Sequence, residues 1–536
     1  MFNQYDEPTG RPFPLNIASN TEWFVQDTWR ANRRLSVDSG MRLYWLPQST
    51  VGDDRMSGFW LPAYEASDAV SLIEPFRQGT ARVGRNPNTG EILPATLIGA
   101  IAPGRGNPAN GMISPVTDPS VPPSLMNNPS ILFGPRAGLA WDPTGSGKTS
   151  VRGGFGMFYN RMSHGVVLTD FTTQPPLVNR PTIFFGTMPG LLSSSGVLFP
   201  ANTIGLDRNA KTPAVMNFSL SVQRDLGWNT IFDIGYAGSV GRHLLWTRNL
   251  NPIPFGSNFL ASNVDTTTNR PLPPAFLRPL QGWGDVVLRE PASSSNYHSM
   301  QTQINRRFAR GLQFGASYTW SKSLDYNSDD GNLVSALVPV RIWNYGLSSF
   351  DRTHVVKLNW LYDLPKVSTS NPFVKAIAND WQFSGIATVS GGQPLGVGFS
   401  TVTAVDITGS PTDGARIDVL SNPVLPRGDR TFYRYFNTDA FGLPAAGTYG
   451  TAARTVIRGP GIHNWDLTAF KNFIIKERVH TQFRAEFYNA FNHTQWSGLS
   501  TAARFDAQGR QVNAQFGQVT STRPGRRIQL ALRLSF

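Results

Sequence analysis

The chain has 536 residues, 48 basic and 35 acidic side chains for a net charge of +13, and no cysteine. The last point excludes thiolate metal sites, disulfide scaffolds and cysteine nucleophiles. Charged residues are 15% and aromatics 12%, with 51 Gly and 40 Pro, a composition suited to many strands and turns that argues against a long helical protein.

The N-terminus, MFNQYDEPTG, has neither a basic segment nor an apolar core, so no secretion signal is read there; the chain is either cytoplasmic or lacks its beginning. From about residue 21 a period of two takes over. Strands are predicted at 21–29, 35–45, 136–142, 150–159, 214–224, 230–238, 298–307, 312–321, 353–363, 380–390, 464–473, 479–489 and 526–536. In the second, Leu35, Val37, Met41, Leu43 and Trp45 oppose Arg34, Ser36, Asp38 and Arg42. In the eighth, Leu312, Phe314, Ala316, Tyr318 and Trp320 oppose Gln313, Ser317, Thr319 and Ser321. Ile528, Leu530, Leu532, Leu534 and Phe536 share one face of the last. Such alternation gives each strand an apolar and a polar side.

Connections alternate in length. Short links at 30–34, 143–149, 225–229, 308–311, 364–379 and 474–478 alternate with long ones rich in Pro, Gly, Asn and Ser, including 46–135, 160–213, 239–297, 322–352 and 391–463. A soluble sandwich or propeller has no reason to sort its loops this way, whereas a transmembrane barrel does. No window reaches the ~18 consecutive apolar residues of a membrane helix. The expected fold is therefore all-β: a transmembrane antiparallel β-barrel whose apolar faces meet outer-membrane lipid, because lipid requires every backbone group to be paired within the protein. Trp23, Trp29, Trp45, Tyr159, Tyr236, Trp320, Trp360 and Trp381 fall near strand ends, where an interfacial aromatic girdle is expected. Arg152, Lys357, Arg484, Glu486 and Arg533 alternate with apolar residues and are expected to face the lumen.

Several stretches resemble a known family: TEWFVQDTWR (21–30), VRGGFGMFYNR (151–161), NFSLSVQRDL (217–226), IGYAGSVGRHL (234–244), YTWSKSLD (318–325), FDRTHVVKLNWLYDLP (350–365), RGPGIHNWDLTAFKNF (458–473) and RAEFYNAFNHTQW (484–496). Together they resemble the barrel of Oar-like TonB-dependent receptors of the bacterial outer membrane. The resemblance implies a 22-stranded barrel, a lumen plug, and a TonB box that takes up inner-membrane energy through the TonB complex. The sequence departs from that pattern in having thirteen predicted strands and no plug, TonB box or signal peptide. Counting back along the alternating loops makes the first strand the tenth, with residues 1–20 ending an external loop and 21–536 a partial barrel domain. A fragment that does not work alone is the resulting expectation. The five charged wall residues would then contact the plug, and the terminal pattern from Ile528 to Phe536 resembles the signal read by the barrel assembly machinery.

Other motifs carry less. WDPTGSGKTS at 141–150 nearly spells a phosphate loop, but Asp142 stands where that motif needs glycine, and the Gly-containing run after it alternates like a strand. Arg427-Gly428-Asp429 is an adhesion-type tripeptide. Seven scattered histidines show no metal-ligand spacing, and GxSxG is absent, so neither a catalytic site nor a cofactor is expected. The function read here is the barrel part of a receptor for a bulky extracellular ligand, carbohydrate or peptide. The alternative is a surface adhesion or export-associated protein. A soluble nucleic-acid binder is disfavoured, because it would expose the apolar faces to water.

Overall fold

The computed structural model describes the chain except residues 1–3, 7–14, 128–129, 163–169, 188–195, 330–332, 404, 477–478 and 536. Thirteen strands pair in succession in one barrel-type sheet: β1 (Thr21–Asn32), β2 (Leu35–Trp45), β3 (Leu132–Trp141), β4 (Thr149–Tyr159), β5 (Ala214–Gly227), β6 (Thr230–Asn249) and β7 (Trp283–Ala309). They continue as β8 (Leu312–Asp325), β9 (His354–Asp363), β10 (Trp381–Ser390), β11 (Ile462–Lys476), β12 (Val479–Tyr488) and β13 (Arg527–Ser535). Each neighbouring pair is antiparallel, and every predicted strand has its counterpart. Among the described residues, β1 pairs only with β2 and β13 only with β12, so the ladder has two lateral edges.

The register carries the alternation across the sheet. Val151, Val222, Ile234, Thr302, Tyr318, Val356, Val389 and His463 stand opposite one another in sequence from β4 to β11. The row beside it reads Ser150, Gln223, Asp233, Gln303, Ser317, Lys357, Thr388 and Asn464. A one-residue slip in any pair would mix the two rows, which is why this register is strongly specified.

Large apolar side chains of the first face remain exposed. Trp23, Trp29, Trp141, Leu220, Trp320 and Leu532 all stand open, the last at 71%. The packed cores lie elsewhere, in the long connections. One gathers Phe436, Phe441, Phe505 and Phe516, and another gathers Met56, Leu125, Met162 and Phe171. The connections thus fold as packed bodies at one end of the sheet.

Two expectations need correction. The predicted loop at 239–297 is partly strand: β6 runs on to Asn249 and β7 starts at Trp283, with Asn249 opposite Val287. At ~3.3 Å per residue the 27 residues of β7 extend roughly 90 Å. A membrane strand needs only about 9–11 residues, so the excess projects beyond the bilayer. Polar side chains hold this extension: Trp246 Nε1 and Arg248 Nε both donate to Glu290, at 2.8 and 3.1 Å, and Asn249 donates to Asp285 at 2.7 Å. The second correction concerns the 364–379 link, which carries a short helix, α1 (Pro372–Ala378), capped by the Asn371 side chain on the amides of Phe373 and Val374. At the opposite extreme, Arg310 and Gly311 make a two-residue hairpin with positive φ at both positions (51° and 79°), the geometry whose twist matches the flanking strands.

Candidate functional site

The polar face is built by strand register alone. All five charged residues singled out in the sequence lie on it, spread over several strands. Arg152 stands opposite Ser221 and donates to Ser150 at 3.2 Å; Lys357 stands between Ser317 and Thr388. Near the C-terminus they come closer. Arg484 donates to Gln482 at 2.7 Å and lies over the Phe470 ring, while Gln482 faces Arg533 and donates to Asn472 at 2.9 Å. Glu486 faces Gln529 and Thr468, and accepts the Tyr488 hydroxyl at 3.1 Å. Among the described residues none of the five enters an ion pair.

Several side chains stand out of phase with their face, Asp27 and Arg306 on the apolar side and Ile386 on the polar side among them; two others were missed and have distinctive surroundings. Phe24 lies on the polar side of β1 and is 76% exposed, whereas Lys471 lies on the apolar side of β11, opposite Trp381 and Phe483. Lys471 is buried: its ammonium donates to the Asn379 carbonyl and sits 5.6 and 5.1 Å from the Trp381 and Phe473 rings. A cation over aromatic faces is the arrangement that makes such a position tolerable. An aromatic pattern at 473 and 381 around a lone lysine was the available signal.

Most of the predicted girdle residues sort by end. Trp29, Trp360 and Trp381 stand near the short links, and Trp23, Trp45 and Tyr159 near the long ones, while Tyr236 and Trp320 lie well inside strands that run on past them. Trp360 packs against Trp465 at 6.2 Å. Ile528, Leu530, Leu532 and Leu534 form one exposed row facing Phe487, Ala485, Phe483 and Thr481; Phe536 lies outside the described residues.

Above the wall the long connections interlock through charge. Arg454 pairs with the buried Asp325, Arg458 with Asp351 at 2.7 Å, and Arg82 with Asp265 at 2.9 Å. Burial works against ionised Asp265, but hydrogen bonds from Thr267 and Arg82 outweigh it and hold the carboxyl below its ordinary range. Arg416 is pushed down to about 10, mainly by burial and then by Arg454, and its guanidinium lies 4.1 Å over the Trp343 ring. A cavity of about 870 Å³ opens where this cap meets the polar wall, lined by Asn464, Asp466, Tyr488, Gln495, Arg523 and Gln529. Its mixed hydrogen-bonding groups suit a hydroxyl- or amide-rich ligand. The connection 489–526, which supplies Gln495 and Arg523, was not among the loops expected to bind. No group of His, Asp or Glu able to hold a metal occurs among the described residues.

The family described as outer membrane beta barrel domain matches residues 1–529. No curated protein matches the chain. Similar solved structures include the outer membrane transporter YddB from Escherichia coli, at 8% identity and TM-score 0.41, covering 97% of this chain and 55% of that one. The siderophore receptor PiuA from Acinetobacter baumannii matches at 9% identity and TM-score 0.39, covering 96% and 43%. The FrpB iron transporter from Neisseria meningitidis matches at 9% identity and TM-score 0.38, covering 96% and 56%. The chain spans about half the length of these structures.

Proposed function

Because the chain belongs to the outer membrane beta barrel domain family and so resides in the bacterial outer membrane, we propose that it is the barrel portion of an Oar-like, TonB-dependent receptor that moves a bulky ligand. The observation that carries this is the pairing of two offset rows, one mainly apolar and exposed, the other mainly polar, below a cap of folded connections. The apolar row meets lipid, and the polar row lines a lumen.

In this reading Arg152, Lys357, Arg484, Glu486 and Arg533 face a plug, and Phe24 supplies it an apolar contact. The 870 Å³ cavity beneath the cap takes part of a carbohydrate or peptide ligand. The β13 row presents the chain to the barrel assembly machinery by strand pairing. Among the described residues the outer sides of β1 and β13 pair with no further strand, and in this reading other strands complete the barrel there.

Reconstitution tests the reading. The 536-residue chain in liposomes should be protected from protease along its strands yet give no steady conductance and no oligosaccharide or peptide flux. Steady conductance with ligand uptake by this chain alone would overturn it.

A further inference from the structure

A second cavity, of about 850 Å³, lies at the rim and shares Ile462 and Gln495 with the first. Its floor is the upper end of the apolar row: Val389 and His463, paired across β10 and β11, with His354 at the start of β9. These residues continue directly into Val356 and Tyr318, the surface read above as lipid-facing. The wall, in contrast, is basic. Arg427, Arg430 and Arg458 line it, and no acidic side chain does.

The three guanidinium groups are committed to different degrees. Arg458 donates to Asp351 at 2.7 Å and to the Gly392 carbonyl at 3.2 Å. Arg430 donates to the Leu425 carbonyl at 3.0 Å and the Tyr435 hydroxyl at 3.2 Å. The guanidinium of Arg427, first residue of the Arg-Gly-Asp turn, makes no hydrogen bond or ion pair among the described residues. The histidines are held in place by their neighbours: the His354 ring stacks on Tyr318 with Nδ1 2.8 Å from its hydroxyl, and His463 Nε2 accepts from Trp465 Nε1 at 3.0 Å.

The cavity is therefore apolar below and cationic above, at the boundary where the apolar wall ends. That division matches an amphiphile with acyl chains and an anionic head. We propose that this cavity seats the phosphate headgroup of a membrane lipid, with its chains running down the Val389–Val356 surface and Arg427 closing on the phosphate. The inference rests on the reading that the apolar face meets lipid, and it assigns to the Arg-Gly-Asp turn a lipid contact in place of adhesion. Guanidinium groups suit phosphate because their planar forks donate in pairs.

The purified chain in neutral detergent, analysed by native mass spectrometry, provides the test, with insertion into phosphatidylcholine vesicles measured alongside. Three probes separate the sources: dioleoyl phosphatidic acid, dioleoylglycerol without the phosphate, and inorganic phosphate without the chains. The expected result is retention of phosphatidic acid alone, weakened about five-fold by Arg427→Gln and unchanged by Arg510→Gln on a different connection. Heat-modifiable mobility on gels verifies that each variant is folded. Equal retention of dioleoylglycerol, displacement by millimolar inorganic phosphate, or folded R427Q with undiminished affinity would overturn the proposal. Failure of the unmodified chain to enter the vesicles would instead overturn the lipid-facing reading beneath it.

Discussion

The Asp142 carboxylate accepts the amide of Gly147 at 2.7 Å, and its other oxygen accepts the Gly145 amide at 2.9 Å and the Thr144 hydroxyl at 3.1 Å. This is the segment that nearly spells a phosphate loop. Its converging amides do bind an anion, but the anion is the protein's own side chain, and the segment is the hairpin between β3 and β4. Purified chain should show no saturable ATP binding by equilibrium dialysis. The amides that would hold a nucleotide are already filled.

The same contacts hold the Asp142 carboxyl below its ordinary value of 3.8, chiefly through the Gly147 amide. A depressed carboxyl contributes stability above its unfolded value and loses it as pH falls through the folded one. Asp142→Asn should therefore loosen the hairpin at neutral pH, seen as faster amide exchange at Gly145 and Gly147 after correction for intrinsic rates. The difference from wild type should shrink as pH falls below 3.8 and vanish only below the depressed folded value. A difference independent of pH would contradict this assignment.

Removing the buried partner of Arg454 should be costly in the cap. Asp325→Asn takes the carboxylate from a largely buried guanidinium and leaves it the Gly346 and Leu347 carbonyls, so the cost should approach the lower end of the about 3–5 kcal/mol typical of a broken buried pair. Limited proteolysis should then cut the 391–461 connection while leaving the strands intact. Unchanged proteolysis would place the stability of the cap in its aromatic core instead.

On the polar wall, single neutral substitutions should barely move stability. Arg484→Gln and Glu486→Gln each lose only half-exposed contacts, with a change of roughly 0–1 kcal/mol in urea unfolding from vesicles. A much larger loss would mean that these residues hold the sheet itself.

The strands were legible because apolar and polar residues alternate over nine or ten positions, as in Arg527–Ser535 and in 312–321. The extension of β7 was not, because its first half, WGDVVLREPASSSNY, lacks that alternation; its ladder bonds come from β6 and from Glu290 and Asp285. The helix α1 left only an Asn-Pro start, too short to show a period of 3.6. Of the candidate sites, the five wall charges could be placed on a face from the alternation. The two cavities could not, since Arg523 and Gln495 in one, and Arg427 and His493 in the other, come from connections whose packing rests on long-range contacts. Lys471 and Phe24 defy the local pattern because their surroundings, aromatic rings in one case and an open wall in the other, are set by neighbouring elements.

Substituting the apolar face should cost far more than substituting the polar one. Leu532→Arg is expected to destabilise insertion by about 2–4 kcal/mol, the range for arginine on a lipid-facing strand near the bilayer centre, whereas Gln529→Arg should cost little. Folding titrations into vesicles check both.

The most direct measurement uses the absence of native cysteine, which lets nitroxide labels be placed singly at positions 528 to 534 of the chain in lipid vesicles. Collision with membrane-dissolved oxygen should be high at 528, 530, 532 and 534, and collision with a water-soluble nickel complex high at 529, 531 and 533. Equal water access at both sets, or low oxygen access at Leu530 and Leu532, would mean that these side chains touch protein or water and not acyl chains.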